Sequence, residues 1–362
     1  MSIGILTFIN TINYGALLQA YALEKAVEDL GKNVEIINYT CPAIAEREIP
    51  SLPSIPDFSN PKTVTRKIFT YPVLSKRAKR FKEFQDRYMI MEPELFDGGK
   101  TIKKYNTIIV GSDQVWNLKI TNDDHTYFLE GDRFSKINHK VAYAASFGDE
   151  GPSRVLESDL LLRLHEFSFV GLREKGAERA LNEAGITNTH VVVDPTLLIE
   201  TTDWENLADV QHVQKEPYLF AYIVSNFNET IGYAKRLANE MGLKLVVLHC
   251  AANRPIFGVS SVNDASPRQF LGLIKNAAFV VTSSFHGMCF SLLFHKQFRY
   301  LSNQEKTSTV SRMDSLAMAL GVESASAQYV GKPAAFDYEE IEARLSSIRS
   351  DSVRYLSSAL NE

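Results

Sequence analysis

The chain has 362 residues, 45% hydrophobic and 23% charged, a soluble globular composition too long for one ordinary core, so two domains are expected. Thirty-nine Lys and Arg against 43 Asp and Glu leave a formal charge of −4, which excludes the overall positive field that nucleic acid requires, so any basic surface must be local. Cys41, Cys250 and Cys289 are scattered without CxxC spacing, which argues against a disulfide framework or a thiolate zinc site and fits a reducing cytoplasm.

Ile3 to Phe8 is a short β-branched apolar run without a cationic flank, so it reads as a strand rather than a signal sequence, and no run approaches the roughly 18 apolar residues of a membrane span. Asn13-Tyr14-Gly15 then leads into a periodic segment from Ala16 to Leu30 that stops at Gly31, and Val34 to Asn38 is a second strand. This is a βαβ unit, the opening of a doubly wound sheet. Residues 41–62 carry Pro42, Pro50, Pro53, Pro56 and Pro61 and read as a loop.

The tract 62–90 that follows holds Lys62, Arg66, Lys67, Lys76, Arg77, Lys79, Arg80, Lys82 and Arg87 against only Glu83 and Asp86, interleaved with aromatic and aliphatic residues. One reading is a solvated helix packed on the sheet. The other is a dock for an anionic lipid surface or a diphosphate-bearing acceptor, a peripheral membrane contact. Further strands are expected at 107–110, 140–145, 168–171 and 190–193, with helices at 153–166 and 175–184.

The strand, helix, glycine, strand opening recurs at Tyr218 to Val224, a helix to Met241, Gly242 and Lys244 to Leu248. The fold class is therefore α/β, with two Rossmann-like domains facing across a cleft: an N-terminal one over 1–200, a C-terminal one over 201–335, and a closing helix in 336–362. Within the second, a helix is expected at 267–276, a strand at 278–282, a helix from His286, a strand at 298–301 and a helix at 311–320.

Ligands of open α/β sheets gather beyond the carboxyl ends of the strands, so residues just after each strand are the candidates. No GxGxxG or GxxxxGK[ST] is present, which disfavours dinucleotide and P-loop chemistry. Asn13 and Gly15 follow the first strand at a helix start suited to an anion. Gly111-Ser112-Asp113-Gln114-Val115-Trp116-Asn117 follows the third. Asp113 there is either a helix cap or a base and hydroxyl ligand, and Trp116 either fills a pocket or forms a sugar-stacking wall. Ser146 follows the fourth strand.

Arg173 stands at a strand end beside a helix start, a place that disfavours a cation unless it clamps an anion or pairs with a nearby Glu. Asp194-Pro195-Thr196 reads as a structural turn. In the second half, Ser283-Ser284-Phe285-His286-Gly287 opens a helix with two hydroxyls and an imidazole able to deliver a proton. His249 is a further lining candidate, and Lys306 and Arg312 are loop cations that either face the cleft or are simply solvated. No HExxH or His/Asp cluster points to a metal.

With these motifs in order, the chain resembles the polysaccharide pyruvyl transferase family. The resemblance runs from Asn13-Tyr14-Gly15 through Gly111 to Asn117, Ser146-Phe147-Gly148, Arg173-Glu174, Asp194-Pro195-Thr196 and Ser283 to Gly287. It implies a GT-B-like pair of Rossmann-like domains, phosphoenolpyruvate as donor, a sugar acceptor in a capsule or exopolysaccharide precursor that is lipid-diphosphate-linked or otherwise carried, and no metal or cofactor. It also implies that Asp113, Arg173 and His286 occupy the family's acidic, arginine and histidine positions. Many members carry an arginine two positions before the histidine, where this chain has Ser284. Arg312 or Lys306 is expected to supply that charge, with Ser283 and Ser284 adding hydrogen bonds. The alternatives are a sugar-nucleotide glycosyltransferase on the same scaffold and a non-catalytic carbohydrate-binding protein.

Overall fold

The structure is a computed structural model that describes residues 2–96, 101–211, 216–249, 256–302, 311–329 and 335–361. The expected apolar runs form β1 (Ile3–Leu6), β2 (Val34–Ile36), β3 (Thr107–Val110), β4 (His139–Ala145), β5 (Phe169–Leu172) and β6 (Thr189–Val191), a parallel sheet in the order β2-β1-β3-β4-β5-β6. The helices of this half are α1 (Tyr14–Asp29), α2 (Pro42–Glu48), α3 (Pro61–Tyr88), α4 (Leu118–Thr121), α5 (Ser153–Leu156), α6 (Leu160–Leu164), α7 (Lys175–Glu183) and α8 (Thr201–Leu207). Helices cover both faces of such a sheet, which is why β1 and β3 are buried along their whole length.

The second sheet contains β7 (Tyr218–Ile223), β8 (Lys244–His249), β9 (Ser260–Ser261), β10 (Phe279–Thr282) and β11 (Phe298–Tyr300), parallel in the order β11-β10-β7-β8-β9. With it come α9 (Phe227–Met241), α10 (Pro267–Lys275), α11 (Phe285–Leu293), α12 (Arg312–Leu320) and the long α13 (Tyr338–Asn361). α13 starts beside the second sheet, where Tyr338 donates to the Lys296 carbonyl at 2.5 Å. It ends on the first, where Tyr355 donates to the Ala142 carbonyl at 3.0 Å. Among the described residues no helix is long and apolar enough to cross a membrane.

Two segments differ from their sequence reading. Part of the proline-rich loop is helical, because Pro42 falls at the first turn of α2, where its missing N–H costs nothing. The single helix expected over 153–166 is split into α5 and α6. Between them the Ser158 hydroxyl donates to the Val155 carbonyl and accepts from the Leu160 N–H, competing with the helical ladder.

One apolar core runs through both sheets. α1 and α11 pack between them, and Tyr14 at the start of α1 stacks on Phe270 of α10 at 4.7 Å and donates to the Ala265 carbonyl at 2.6 Å. α3 braces the same seam. Arg77, buried, donates to the Asn263 carbonyl at 2.6 Å and lies over the Tyr14 ring, while Lys76 and Arg80 both reach Asp264. Lys79 and Lys82 pair with Glu83 and Asp86 one turn along, and Lys67 pairs with Asp57. The tract 62–90 is therefore no uniform basic dock, since its second half is largely committed to internal contacts.

This brace separates two classes of cation by their effect on stability. Arg77→Ala should destabilise the protein by about 2–4 kcal/mol, because buried hydrogen bonds and a cation–π contact are lost together. Lys79→Ala, which removes one exposed ion pair, should stay within about 0.5 kcal/mol. Urea denaturation of both variants checks the contrast.

Candidate active site

In each sheet the strand order reverses beside the first strand, between β1 and β3 and between β7 and β10, and such switch points are where open α/β sheets bind ligands. Here the two switch points share one cleft of about 270 Å³. Asn13 lines it after β1, Asp113 and Gln114 after β3, Ser225 after β7, and Ser283, Ser284, Phe285 and His286 after β10; Arg312 enters from α12.

Beneath the cleft lies a buried charge cluster. β6 delivers Asp194, whose Oδ2 is 3.0 Å from Arg173 Nη2, 3.3 Å from His286 Nε2 and 3.5 Å from the Ser112 hydroxyl, while Oδ1 accepts from the Thr196 N–H and hydroxyl. Burial alone would push the Asp194 carboxyl up. The Arg173 guanidinium, and then His286, outweigh it and hold the group well below the usual carboxylate range. Arg173 is raised above its ordinary value: burial opposes the charge, and Asp194 and Asp113 overcome that. Arg173 Nη2 also donates to Ser112 at 2.5 Å, whereas Nε, Nη1 and His286 Nε2 are buried and make no hydrogen bond among the described residues. Nη1 does lie 3.9 Å from Asp113 Oδ1.

The imidazole is held against α1. A Cβ at Gly15 would stand 2.1 Å from His286 Nδ1, so only glycine admits the ring there. Both helices start at the cleft with side-chain caps: Asn13 accepts from the Gly15 and Ala16 N–H groups, and Ser284 from Gly287. Phe285 has two guanidinium groups near its ring, Arg173 at 5.2 Å and Arg312 at 5.9 Å from the centroid. Asp113 adopts φ +74, in the left-handed region that side chains adopt at a cost, and its loop is tied to β4 by the Ser146 N–H donating to its carbonyl at 3.0 Å.

Of the residues singled out in the sequence, Asn13, Asp113, Gln114, Ser283, Ser284, His286 and Arg312 line the cleft. Gly15, Ser112 and Arg173 lie just beneath it. Ser146 is also buried, its hydroxyl donating to Glu174, whose carboxylate lies 4.0 Å from Arg312. Two expectations are corrected. Trp116 is no wall of the cleft: its indole is buried among Phe128, Phe147 and Phe167 and donates to the Tyr127 carbonyl, because this loop folds back into the core beside β4. His249 does not line the cleft: it is buried beside Phe227 and Asn263, which enclose its ring. Lys306 lies outside the described residues.

Sequence reading passed over Asp194, which does make the expected turn but also centres the charge cluster; its strand-end position was the signal. It also passed over Arg47, Glu48 and Thr11, which line the cleft from the proline-rich segment and the loop after β1. Thr11 donates to Glu48, and Arg47 pairs with Glu48 at 3.0 Å. Arg47 and Glu48 carry no motif.

A family model described as polysaccharide pyruvyl transferase matches residues 13–305. No curated protein sequence matches the chain. Solved structures share its fold. S. aureus MnaA in complex with UDP is 11% identical, with 98% of this chain and 90% of that chain covered at a TM-score of 0.51. The UDP-GlcNAc 2-epimerase of Methanocaldococcus jannaschii, in complex with UDP-GlcNAc and UDP, is 11% identical, with 96% and 93% covered at 0.50. That of Neisseria meningitidis, bound to UDP-GlcNAc, is 10% identical, with 100% and 95% covered at 0.50. At these identities the likeness concerns the GT-B-type fold alone.

Two stability measurements test the site as built. Gly15→Ala, which in an ordinary helix interior favours folding by about 1 kcal/mol, should here destabilise by about 1–3 kcal/mol, because the added methyl overlaps the imidazole. Asp194 has a depressed folded value, so its stabilisation is complete above the unfolded value of about 3.9 and is lost as pH falls from there through the folded value. Asp194→Asn should be less stable than the parent near neutral pH, with the gap narrowing below about pH 4 in urea titrations.

Proposed function

Because the chain belongs to the polysaccharide pyruvyl transferase family, we propose that it transfers the enolpyruvyl group of phosphoenolpyruvate to two hydroxyls of one sugar in a cell-surface polysaccharide precursor. The observation that carries the donor half is the pair of buried Arg173 donors, Nε and Nη1, that make no hydrogen bond among the described residues beneath a cleft where α1, α11 and α12 all begin. Guanidinium groups and helix N-termini both favour a carboxylate or phosphate.

In this reading, His286 protonates the methylene carbon, which becomes a methyl group, and the adjacent carbon gains oxocarbenium character. One sugar hydroxyl adds to that carbon, phosphate leaves, and the second hydroxyl closes the cyclic ketal. Of the two hydroxyl protons, one balances the proton given to carbon and the other leaves with phosphate. Asp113 binds or deprotonates the attacking hydroxyl, Arg173 holds the donor's carboxylate or phosphate, and Arg312 supplies the charge absent at Ser284.

Ser283 and Ser284 have parts of their hydroxyls committed, Ser283 to the 224–225 backbone and Ser284 to the α11 cap, so their share in donor binding is secondary. Across the cleft, Gln114, Thr11 and Glu48 offer the mixed acceptors and donors that suit sugar hydroxyls. A cytoplasmic site of action belongs to the same proposal; the free, buried thiols of Cys41 and Cys289 accord with it.

Phosphate release that depends on both phosphoenolpyruvate and a sugar acceptor, with one pyruvate ketal detected on the product by mass spectrometry, is the expected result. A nucleoside diphosphate as product, or no turnover across an acceptor panel, overturns the reading. His286→Ala should lower kcat by about 10²-fold or more. Arg312→Ala should raise KM for phosphoenolpyruvate by about tenfold or more, the worth of one charge-assisted contact.

A further inference from the structure

Six large apolar side chains stand in solvent within a short stretch that borders the cleft. Ile49 and Leu52 follow Glu48, itself a cleft residue. Ile55 and Phe58 sit on the short 3-10 turn 55–59 and are 89% and 67% exposed. Ile68 and Phe69 lie on α3, Phe69 at 74%. The residues of the 3-10 turn and of α3 are held side by side. Asp57 takes two hydrogen bonds from Ser54 and an ion pair of 2.7 Å from Lys67, which pins the 3-10 turn alongside the first turns of α3. Lys62 and Arg66, both exposed, stand on the same turns of α3 and make no ion pair among the described residues.

We propose that this surface, residues 49–69, docks on an anionic lipid bilayer and lays the mouth of the cleft against it. The chemistry favours a membrane over a second copy of the chain. The cores of protein–protein interfaces are depleted of Lys, whereas aromatic and aliphatic tips interleaved with Lys and Arg match the boundary between acyl chains and anionic headgroups. The net charge of −4 gives the rest of the molecule no such attraction, so contact is local to this face. Contact through exposed side chains of this kind is interfacial and reversible. The second half of α3 takes no part, because Lys76, Arg77 and Arg80 are tied to residues 263–264 and Lys79 and Lys82 pair with neighbouring carboxylates.

Flotation of the 362-residue chain with vesicles tests this without turnover, so its outcome is independent of the proposed reaction. Binding is expected to phosphatidylcholine vesicles containing phosphatidylglycerol and not to phosphatidylcholine alone, and it should be lost in high salt. Lys62→Ala/Arg66→Ala should weaken it about 30-fold, and Phe58→Ser/Phe69→Ser at least about tenfold. Far-UV circular dichroism should be unchanged, since these side chains are exposed. No binding to the anionic vesicles, or binding that both double variants retain, overturns the proposal. So does a chain that is dimeric in solution and becomes monomeric in Phe58→Ser/Phe69→Ser while its vesicle binding is unchanged, for then a second copy covers the face.

Discussion

The carboxylate of Asp194, buried where β6 ends, reaches Arg173 of the first sheet's β5 end at 3.0 Å and His286 of the second sheet's α11 at 3.3 Å. Taking a carboxylate out of water costs several kcal/mol, so its charge persists only because both partners are held close. The dependence is mutual: removing the carboxylate strands a buried guanidinium, and removing the guanidinium strands the carboxylate. Such clusters add little net stability compared with apolar packing of equal volume. Arg173 also keeps two buried donors without hydrogen bonds among the described residues, which apolar packing would never leave. Both features make sense if the cluster is completed by an anion arriving from the cleft, as the proposed donor does.

The same geometry limits how the cleft works. α1 contributes the Gly15 backbone that the imidazole rests on, the Asn13 cap at the cleft wall and the Tyr14 ring stacked on Phe270. One helix therefore serves both sheets, and the core runs through it without a break. Separating the sheets would expose many apolar side chains at about 1.5–3 kcal/mol each. Wide opening is costly, so in the proposed reaction exclusion of water would rest on a narrow cleft more than on a large hinge motion.

Much of this was legible in the sequence because it follows from strand ends. The strand-by-strand search located Asp113, Arg173, Ser283, Ser284 and His286, and strand runs and periodic helices are set by local pattern. What escaped it depends on long-range contact. Trp116 looked like a ligand wall because polar neighbours surround it in sequence, yet the loop folds its ring inward among three phenylalanines. Asp194 looked like a turn residue because it is one; its second role arises only when Ser112, Arg173 and His286, from three different strand ends, converge on it. The cations of α3 were indistinguishable in sequence, and only the fold divides them into a buried brace and an exposed face.

Ser284 shows how the expected charge can move without being lost. At that position the serine hydroxyl accepts from the Gly287 N–H and caps α11, a task a guanidinium cannot perform because it has no acceptor. An arginine there would gain charge at the cleft and leave the helix start to another group. Here the cap is kept, and Arg312 enters the cleft from the first turn of α12, a place where the helix dipole disfavours a cation. The Phe285 face at 5.9 Å and the Glu174 carboxylate at 4.0 Å offset that cost. Arg173 also lies 5.2 Å from that ring, so both guanidinium groups gather around one aromatic side chain. In the proposed reaction these two cations match a donor that carries both a carboxylate and a phosphate.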